Sequence, residues 1–429
     1  YYIQSGQLVP TSVERRWSDL NEVRKDLGFD IDFAAGWGAD NFSTLTIGAL
    51  ISEKQRTVDL WRFSFRPGTY AVDRSVAQGV ESILSVENLA ADAFRLRTTT
   101  TGTDSYASLE ETQAYFVKLH TDIGADWSLD VGVRYEGFTQ KISYPNAPQN
   151  SGVLDTDNWF PALNMTWRAT DELQLRIGVS ETVSYPGLVE RSDSRVFDPK
   201  TDNVIIGNSS LVVAEITNFD FRAEYYFGDT SRASLALFKK DIDNPVERAI
   251  ADSSGSQAAS AITYKNQISA ELDGIELDFN INLIDTDAHT LFVNGNLSYI
   301  DSAVELSTSQ LRLEGESANG RPLQAQSEYL ANLQIGYDHY PSEQKITLLV
   351  NWFDDRIYRI ARGAARGPIV EEGRAVIDVT YEKTFADQWT FKGNVKNITN
   401  EPISYVQNNN QIELYEIGTS IGASLSYQF

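Results

Sequence analysis

Apolar residues recur at every second position along most of the chain. Leu163, Met165 and Trp167 alternate with Asn164, Thr166 and Arg168, and Leu173, Leu175, Ile177 and Val179 alternate with Gln174, Arg176, Gly178 and Ser180. The same period returns in Ile275, Leu277, Phe279 and Ile281 around Glu276, Asp278 and Asn280, and the chain closes on Ile421, Ala423, Leu425, Tyr427 and Phe429. Successive side chains of a strand point to opposite faces, so this period predicts sheets with one apolar and one wet face. Helical periodicity is nearly absent; only 79–95 predicts a short helical turn or two, inside a long connection. The pattern predicts sixteen strands: 11–19, 24–36, 43–54, 106–120, 125–140, 158–168, 173–183, 213–227, 232–242, 262–281, 288–302, 325–338, 343–354, 374–384, 388–398 and 415–429.

A water-soluble sandwich would also alternate. Strand length separates the two cases. Many segments run about 10 to 15 residues, against five or six in ordinary soluble sheets, and a tilted membrane-spanning strand needs about 9–11. Aromatic residues gather near strand ends, at Tyr225, Tyr226, Tyr299, Trp352, Tyr381, Trp389 and Tyr427, as interfacial girdles would require. Tight connections near 37–42, 121–124, 169–172, 228–231, 282–287, 339–342 and 385–387 alternate with long ones at 55–105, 141–157, 184–212, 243–261, 303–324, 355–373 and 399–414. Short periplasmic turns and long external loops have this rhythm. The predicted fold class is therefore all-β, a transmembrane antiparallel β-barrel, with a first short external connection at 20–23. Leu277, Phe279, Leu348 and Trp389 should face lipid and Glu276, Asp278 and Lys392 the lumen, because charge is costly in hydrocarbon.

Composition narrows the function. Thirty-six basic residues stand against sixty acidic ones, a formal charge of -24, and cysteine is absent. This excludes disulfides and thiol chemistry, and nothing would neutralise the phosphates of a nucleic acid over a broad surface. His120, His289 and His339 are the only histidines; they read as isolated polar residues, and no metal, cofactor or catalytic constellation is expected. No apolar run reaches the roughly 20 residues of a spanning helix. Tyr1 is not methionine and the residues after it do not read as a signal peptide, so a mature or truncated product is expected.

Several segments carry a family likeness. Gly132-Val133-Arg134-Tyr135-Glu136 resembles a "GxRYE" strand, and Phe160-Pro161-Ala162-Leu163 an "xPxL" strand start. The stretch from Leu175-Arg176 through Tyr185-Pro186 resembles "LRxxxSxTxxRP", with Tyr185 where arginine is common. Gly207-Asn208-Ser209-Ser210-Leu211 with Glu215 resembles "NPxLxxE", with Ser209 in place of proline. Phe238-Lys239-Lys240-Asp241-Ile242, Gly274-Ile275-Glu276 and Val395-Lys396-Asn397-Ile398-Thr399-Asn400 resemble "FYKDI", "GxE" and "xKNLxD". In this order they resemble the C-terminal half of TonB-dependent outer-membrane receptors, and the terminal Phe429 resembles the assembly signal of barrel proteins. The resemblance implies a 22-stranded barrel around an N-terminal plug. Residues 1–429 would be the C-terminal part of that barrel, with about six strands and the plug preceding Tyr1. It also implies a bacterial outer-membrane protein without enzymatic activity. Such a protein would actively import a scarce iron chelate, glycan or other small or oligomeric nutrient. Its partners would be the TonB complex, reached through the plug, and outer-membrane lipid and lipopolysaccharide. A sixteen-stranded passive porin and a soluble β-sandwich adhesin are the rival readings.

Two segments are candidates for substrate contact. Trp61, Arg62, Phe65 and Arg66 sit near the base of the longest external connection and combine aromatic and cationic groups suited to an acidic or catecholate-like ligand. Tyr358, Arg359 and Arg362, with Arg356 and Arg366, concentrate positive charge in the loop 355–373 and could steer an anionic cargo. Packing of the first segment as a loop root, and pairing of the second with Asp354, Asp355, Glu371, Glu372 or lipopolysaccharide phosphates, are the structural alternatives.

Overall fold

Alternating β-branched, aromatic and polar residues give the chain strands far longer than a soluble sheet holds. In a computed structural model, residues 14–37, 41–68, 82, 85–198, 203–228, 230–251, 261–361, 363, 366–386 and 388–429 are described. Fifteen strands form one antiparallel meander, each bonded to the next in chain order. They are Glu14–Trp37, Asn41–Pro67, Tyr106–Ile123, Trp127–Ser143, Gly152–Arg168, Leu173–Ser184, Ala214–Phe227, Ser231–Asp243, Ser269–Asp285, His289–Glu305, Tyr329–His339, Gln344–Phe353, Arg374–Phe385, Trp389–Lys396 and Ser420–Tyr427. The short strand Phe94–Thr98 pairs beside Asn41–Pro67 as the sixteenth member.

The main sheet has sixteen members among the described residues, but they are not the sixteen strands expected. The described part of the segment 11–19, residues 14–19, belongs to one strand with 24–36, Glu14–Trp37; 11–13 lie outside the described residues. The expected connection at 20–23 has no glycine or proline to turn on. Instead Leu20, Asn21, Glu22 and Val23 pair opposite Val58, Thr57, Arg56 and Gln55, and Glu22 takes an ion pair from Arg56 at 2.5 Å. Likewise Asn41–Pro67 runs well into the expected loop 55–105, which returns to it as Phe94–Thr98. The expected helical turn there is Val86–Ala90, capped by Ser85 Oγ accepting from the Asn88 amide; 79–81 and 83–84 lie outside the described residues. The expected strand 262–281 divides at Gln267 and Ile268 into Ala261–Asn266 and Ser269–Asp285.

Register sorts the side chains into two faces. Ser234 opposes Asp278, Asp278 opposes Asn296, Asn296 opposes Asn332 and Asn332 opposes Asn351. One step along, Ala233, Phe279, Gly295, Leu333 and Val350 form the neighbouring row on the other face. Glu276, Asp278 and Lys392 share the polar face; Leu277, Phe279, Leu348 and Trp389 share the apolar one, as the alternation predicts. The polar face is the concave one, since residues from seven strands of it line a single cavity of about 830 Å³.

Aromatic residues mark two levels on the convex face. Trp127 stacks on Trp167 at 5.2 Å near the tight turns, and Tyr135 packs on Trp159 at 5.1 Å and Tyr115 at 6.5 Å toward the long connections. Trp127 and Tyr135 lie on the same strand eight residues apart, about 26 Å of strand at 3.3 Å per residue. At a tilt of about 40° that is roughly 20 Å of height, of the order of the roughly 25 Å apolar band of an outer-membrane barrel.

Apolar burial sits at the long-connection end, because the wall itself turns its apolar face outward. Tyr106, Ile142, Tyr144, Ala147 and Leu188 form one buried cluster, and Ala270, Val304 and Leu306 with Leu311 and Leu323 another. A four-stranded sheet there, Arg356–Arg359, Ile369–Glu371, Ile403–Gln407 and Asn410–Tyr415, prolongs the last four meander strands in the same lateral order. A second joins Arg195–Asp198, Asn203–Ile206, Ala261–Asn266 and Val246–Ile250, with one parallel pairing between Asn203–Ile206 and Ala261–Asn266.

Candidate functional site

The concave wall is polar and mixed in charge. Asn351 donates to Asn332, and Asn332 Nδ2 donates to Asn296 Oδ1 at 2.8 Å, a row of amides across three neighbouring strands. Beside it Arg222 Nη2 lies 3.1 Å from Asp278 Oδ2, and Arg222 Nε donates to Glu224 Oε1 at 2.9 Å. Amides offer donors and acceptors without net charge, so this wall can hydrogen-bond a polar occupant of either sign. The amide row was not singled out from sequence. Its trace there is the inward run Asn294, Asn296, Asn332, Gln334 and Asn351, visible only once strand register is known.

The first candidate segment is divided by the pleat. Trp61, Phe63 and Phe65 follow Leu45, Ile47 and Ile51 on the convex face, whereas Arg62 points to the concave side and is buried. Arg62 Nε donates to Asp104 Oδ2 at 2.8 Å, Nη2 donates to Asp104 Oδ1, and the Arg62 amide donates to Thr100 Oγ1 at 2.9 Å. These bonds fasten the strand to 99–105. Arg66 opposes Arg95 in backbone register. Trp61 and Phe65 on one face and the Arg62 guanidinium on the other therefore do not form one surface.

The second segment is brought together with residues from the last long connection. The Tyr358 and Tyr405 rings lie 4.4 Å apart, and Tyr415 meets Tyr405 edge-on at 6.1 Å. Arg359 lies 5.7 Å over Tyr358 and donates to Glu413 at 3.2 Å. Arg356 donates to Glu371 at 2.9 Å and stands 4.5 Å over Phe353. Arg366 is exposed, and Arg362 lies outside the described residues. Two of the four arginines thus already meet carboxylates.

The histidines are less isolated than their spacing implies. His289 and His339 are direct cross-strand partners with rings 6.2 Å apart, and His120 Nδ1 lies 3.0 Å from Asp130. Among the described residues no group of three or more His, Cys, Asp or Glu is placed to hold a metal.

In the outer loops two arginines are buried differently. Arg321 lies between Glu247 at 2.9 Å and Glu314 at 3.0 Å. Burial pulls its pKa down, and the bonds to the two carboxylates more than offset this, so it stays raised. Arg191 instead donates to Gln140 Oε1 at 2.8 Å and the Ser209 carbonyl at 2.9 Å, and burial holds its pKa below the ordinary value.

A long-stranded antiparallel meander with a lipid-type convex face, two aromatic levels and a polar concave face defines an outer-membrane β-barrel wall. Residues 4–398 match the family described as TonB dependent receptor-like, beta-barrel, and the chain belongs to that family, whose members are transporters of the bacterial outer membrane. Solved structures are similar in fold. The siderophore receptor PiuA from Acinetobacter baumannii has a TM-score of 0.66 at 14% identity, covering 96% of this chain and 56% of that one. The ferric-catecholate import receptor Fiu from E. coli K12 has 0.63 at 12%, covering 96% and 55%. The ferric yersiniabactin uptake receptor FyuA from Yersinia pestis has 0.61 at 13%, covering 96% and 55%. The chain thus spans about half the length of these structures. No curated protein sequence matches it.

Proposed function

We propose that this chain is the C-terminal part of a receptor barrel that imports a scarce nutrient, an iron chelate first among the candidates, with energy delivered through TonB. The family match over 4–398 carries this reading, and the names of the similar solved structures support the cargo class. In this proposal the fifteen meander strands are completed by about seven more into a closed ring of 22 around a plug. Among the described residues Glu14–Trp37 and Ser420–Tyr427 each have a meander neighbour on one side only, and an unpaired edge in lipid costs several kcal/mol per group. We assign first cargo contact to Tyr358 and Arg359 with Tyr405 and Tyr415, in preference to the divided segment Trp61, Arg62, Phe65 and Arg66. Cargo would then descend along the amide wall.

The test is energy dependence. Cells carrying the full-length receptor should accumulate a radiolabelled ferric chelate only when TonB is present. Uptake that persists without TonB, and rises linearly with concentration, would instead make the chain a passive porin.

A further inference from the structure

The convex face of Asn41–Pro67 changes character twice. Leu45, Ile47 and Ile51 belong to the lipid band, Glu53, Gln55, Thr57 and Asp59 are polar, and Trp61, Phe63 and Phe65 are aromatic again. Register extends this second apolar area sideways. Trp17 opposes Trp61, Arg15 opposes Phe63 and Leu96 opposes Phe65. Trp17 meets Phe63 edge-on at 5.4 Å, and the Arg15 guanidinium lies 5.4 Å over Trp17. Away from the free sheet edge, Trp61 and Leu96 are 47% and 54% exposed, so this face is an open shelf although Arg62 on the opposite face is packed against Asp104.

Its height excludes lipid tails. Ala49 opposes Tyr115 of the outer aromatic level, and Trp61 is twelve residues further along the same strand. That is about 40 Å of strand, or roughly 30 Å of height at an ordinary barrel tilt of about 40°. A contiguous exposed apolar area at that height marks a partner. Directly below it Asp19 opposes Asp59, a like-charge cross-strand pair that costs stability. Neither carboxylate has a hydrogen-bond or ion-pair partner among the described residues.

We propose that this shelf binds the hexose-bearing outer core of lipopolysaccharide molecules surrounding the barrel. The shelf lies on the same face as the lipid-contacting band, so its neighbour is whatever extends above those lipids. Flat indole and phenyl faces accept the C–H faces of sugar rings. Asp19 and Asp59 accept hydroxyl hydrogen bonds, with Arg15 donating from the rim. The paired carboxylates repel phosphate, which selects neutral hexoses over the phosphorylated inner core.

The experiment titrates the full-length receptor in nanodiscs with two delipidated probes, a core oligosaccharide carrying its outer hexoses and the inner-core fragment lacking them, read by tryptophan fluorescence and by calorimetry. The hexose-bearing probe should bind at least fivefold tighter than the fragment, and Trp17→Leu with Trp61→Leu should abolish the difference. A second variant, Asp19→Asn with Asp59→Asn, should weaken binding severalfold while raising the melting temperature, because it replaces one charged acceptor oxygen of each side chain with a donor and removes the repulsion. Equal binding of the two probes, or binding unchanged in the asparagine variant, would overturn the proposal even if the leucine variant failed to assemble.

Discussion

At the scale of single residues the wall depends on where side chains are missing. Phe238 opposes Gly274, and Phe292 opposes Gly336; in both pairs the ring lies over the glycine on the concave face, where a Cβ would overlap it. Gly274→Val should therefore displace the ring and cost about 1–3 kcal/mol, seen as a lower folded fraction by heat-dependent gel mobility in a urea series. Gly178→Ala, beside the more yielding Asn164 and Asp220 side chains, should cost less. Arg321 is the other exacting position. Arg321→Met leaves Glu247 and Glu314 buried without their cation, a loss of about 3–5 kcal/mol in comparable buried pairs. The expected outcome is faster proteolysis in 306–328 with an intact barrel band, because the clasp lies in the loops and not in the wall.

At the scale of elements, the sequence was legible wherever period two was sustained and bounded by turns. Trp127–Ser143, Leu173–Ser184, Ala214–Phe227 and Arg374–Phe385 lie within a few residues of their expected limits. Period alone could not find the end of a strand that leaves the membrane and keeps pairing, so Asn41–Pro67 was expected to stop at 54. Nor could it divide a strand by face when aromatic and cationic residues simply alternate, which is why 61–66 read as one surface. Long-range pairing was likewise hidden. The segments resembling "FYKDI" and "GxE" are read 36 residues apart, yet Phe238 and Gly274 are direct partners. The final strand makes its own prediction. Phe429 is fully exposed and meets Tyr427 edge-on at 5.1 Å, while Tyr427 packs on Trp389 at 4.8 Å. Because Phe429 supports little packing, Phe429→Ser should reduce the yield of assembled protein in the outer membrane and leave the melting of the assembled fraction unchanged.

At the scale of the whole molecule, charge and stiffness decide what the wall does. A chain of charge -24 repels an anionic chelate, so positive groups near the entrance matter more than their number implies. Arg359→Gln removes one and also unpairs Glu413. Uptake of an anionic cargo should slow severalfold at low ionic strength and converge on the parent rate as salt rises; equal rates at low salt would leave Arg359 a purely structural partner of Glu413. The unbroken ladder between Glu14–Trp37 and Asn41–Pro67, paired residue by residue without a register shift, has a mechanical consequence. Antiparallel ladder bonds lie across the strands, so a pull along the strands loads many of them in shear at once. Under an axial force this part of the wall is therefore stiff, and its two strands yield as one piece.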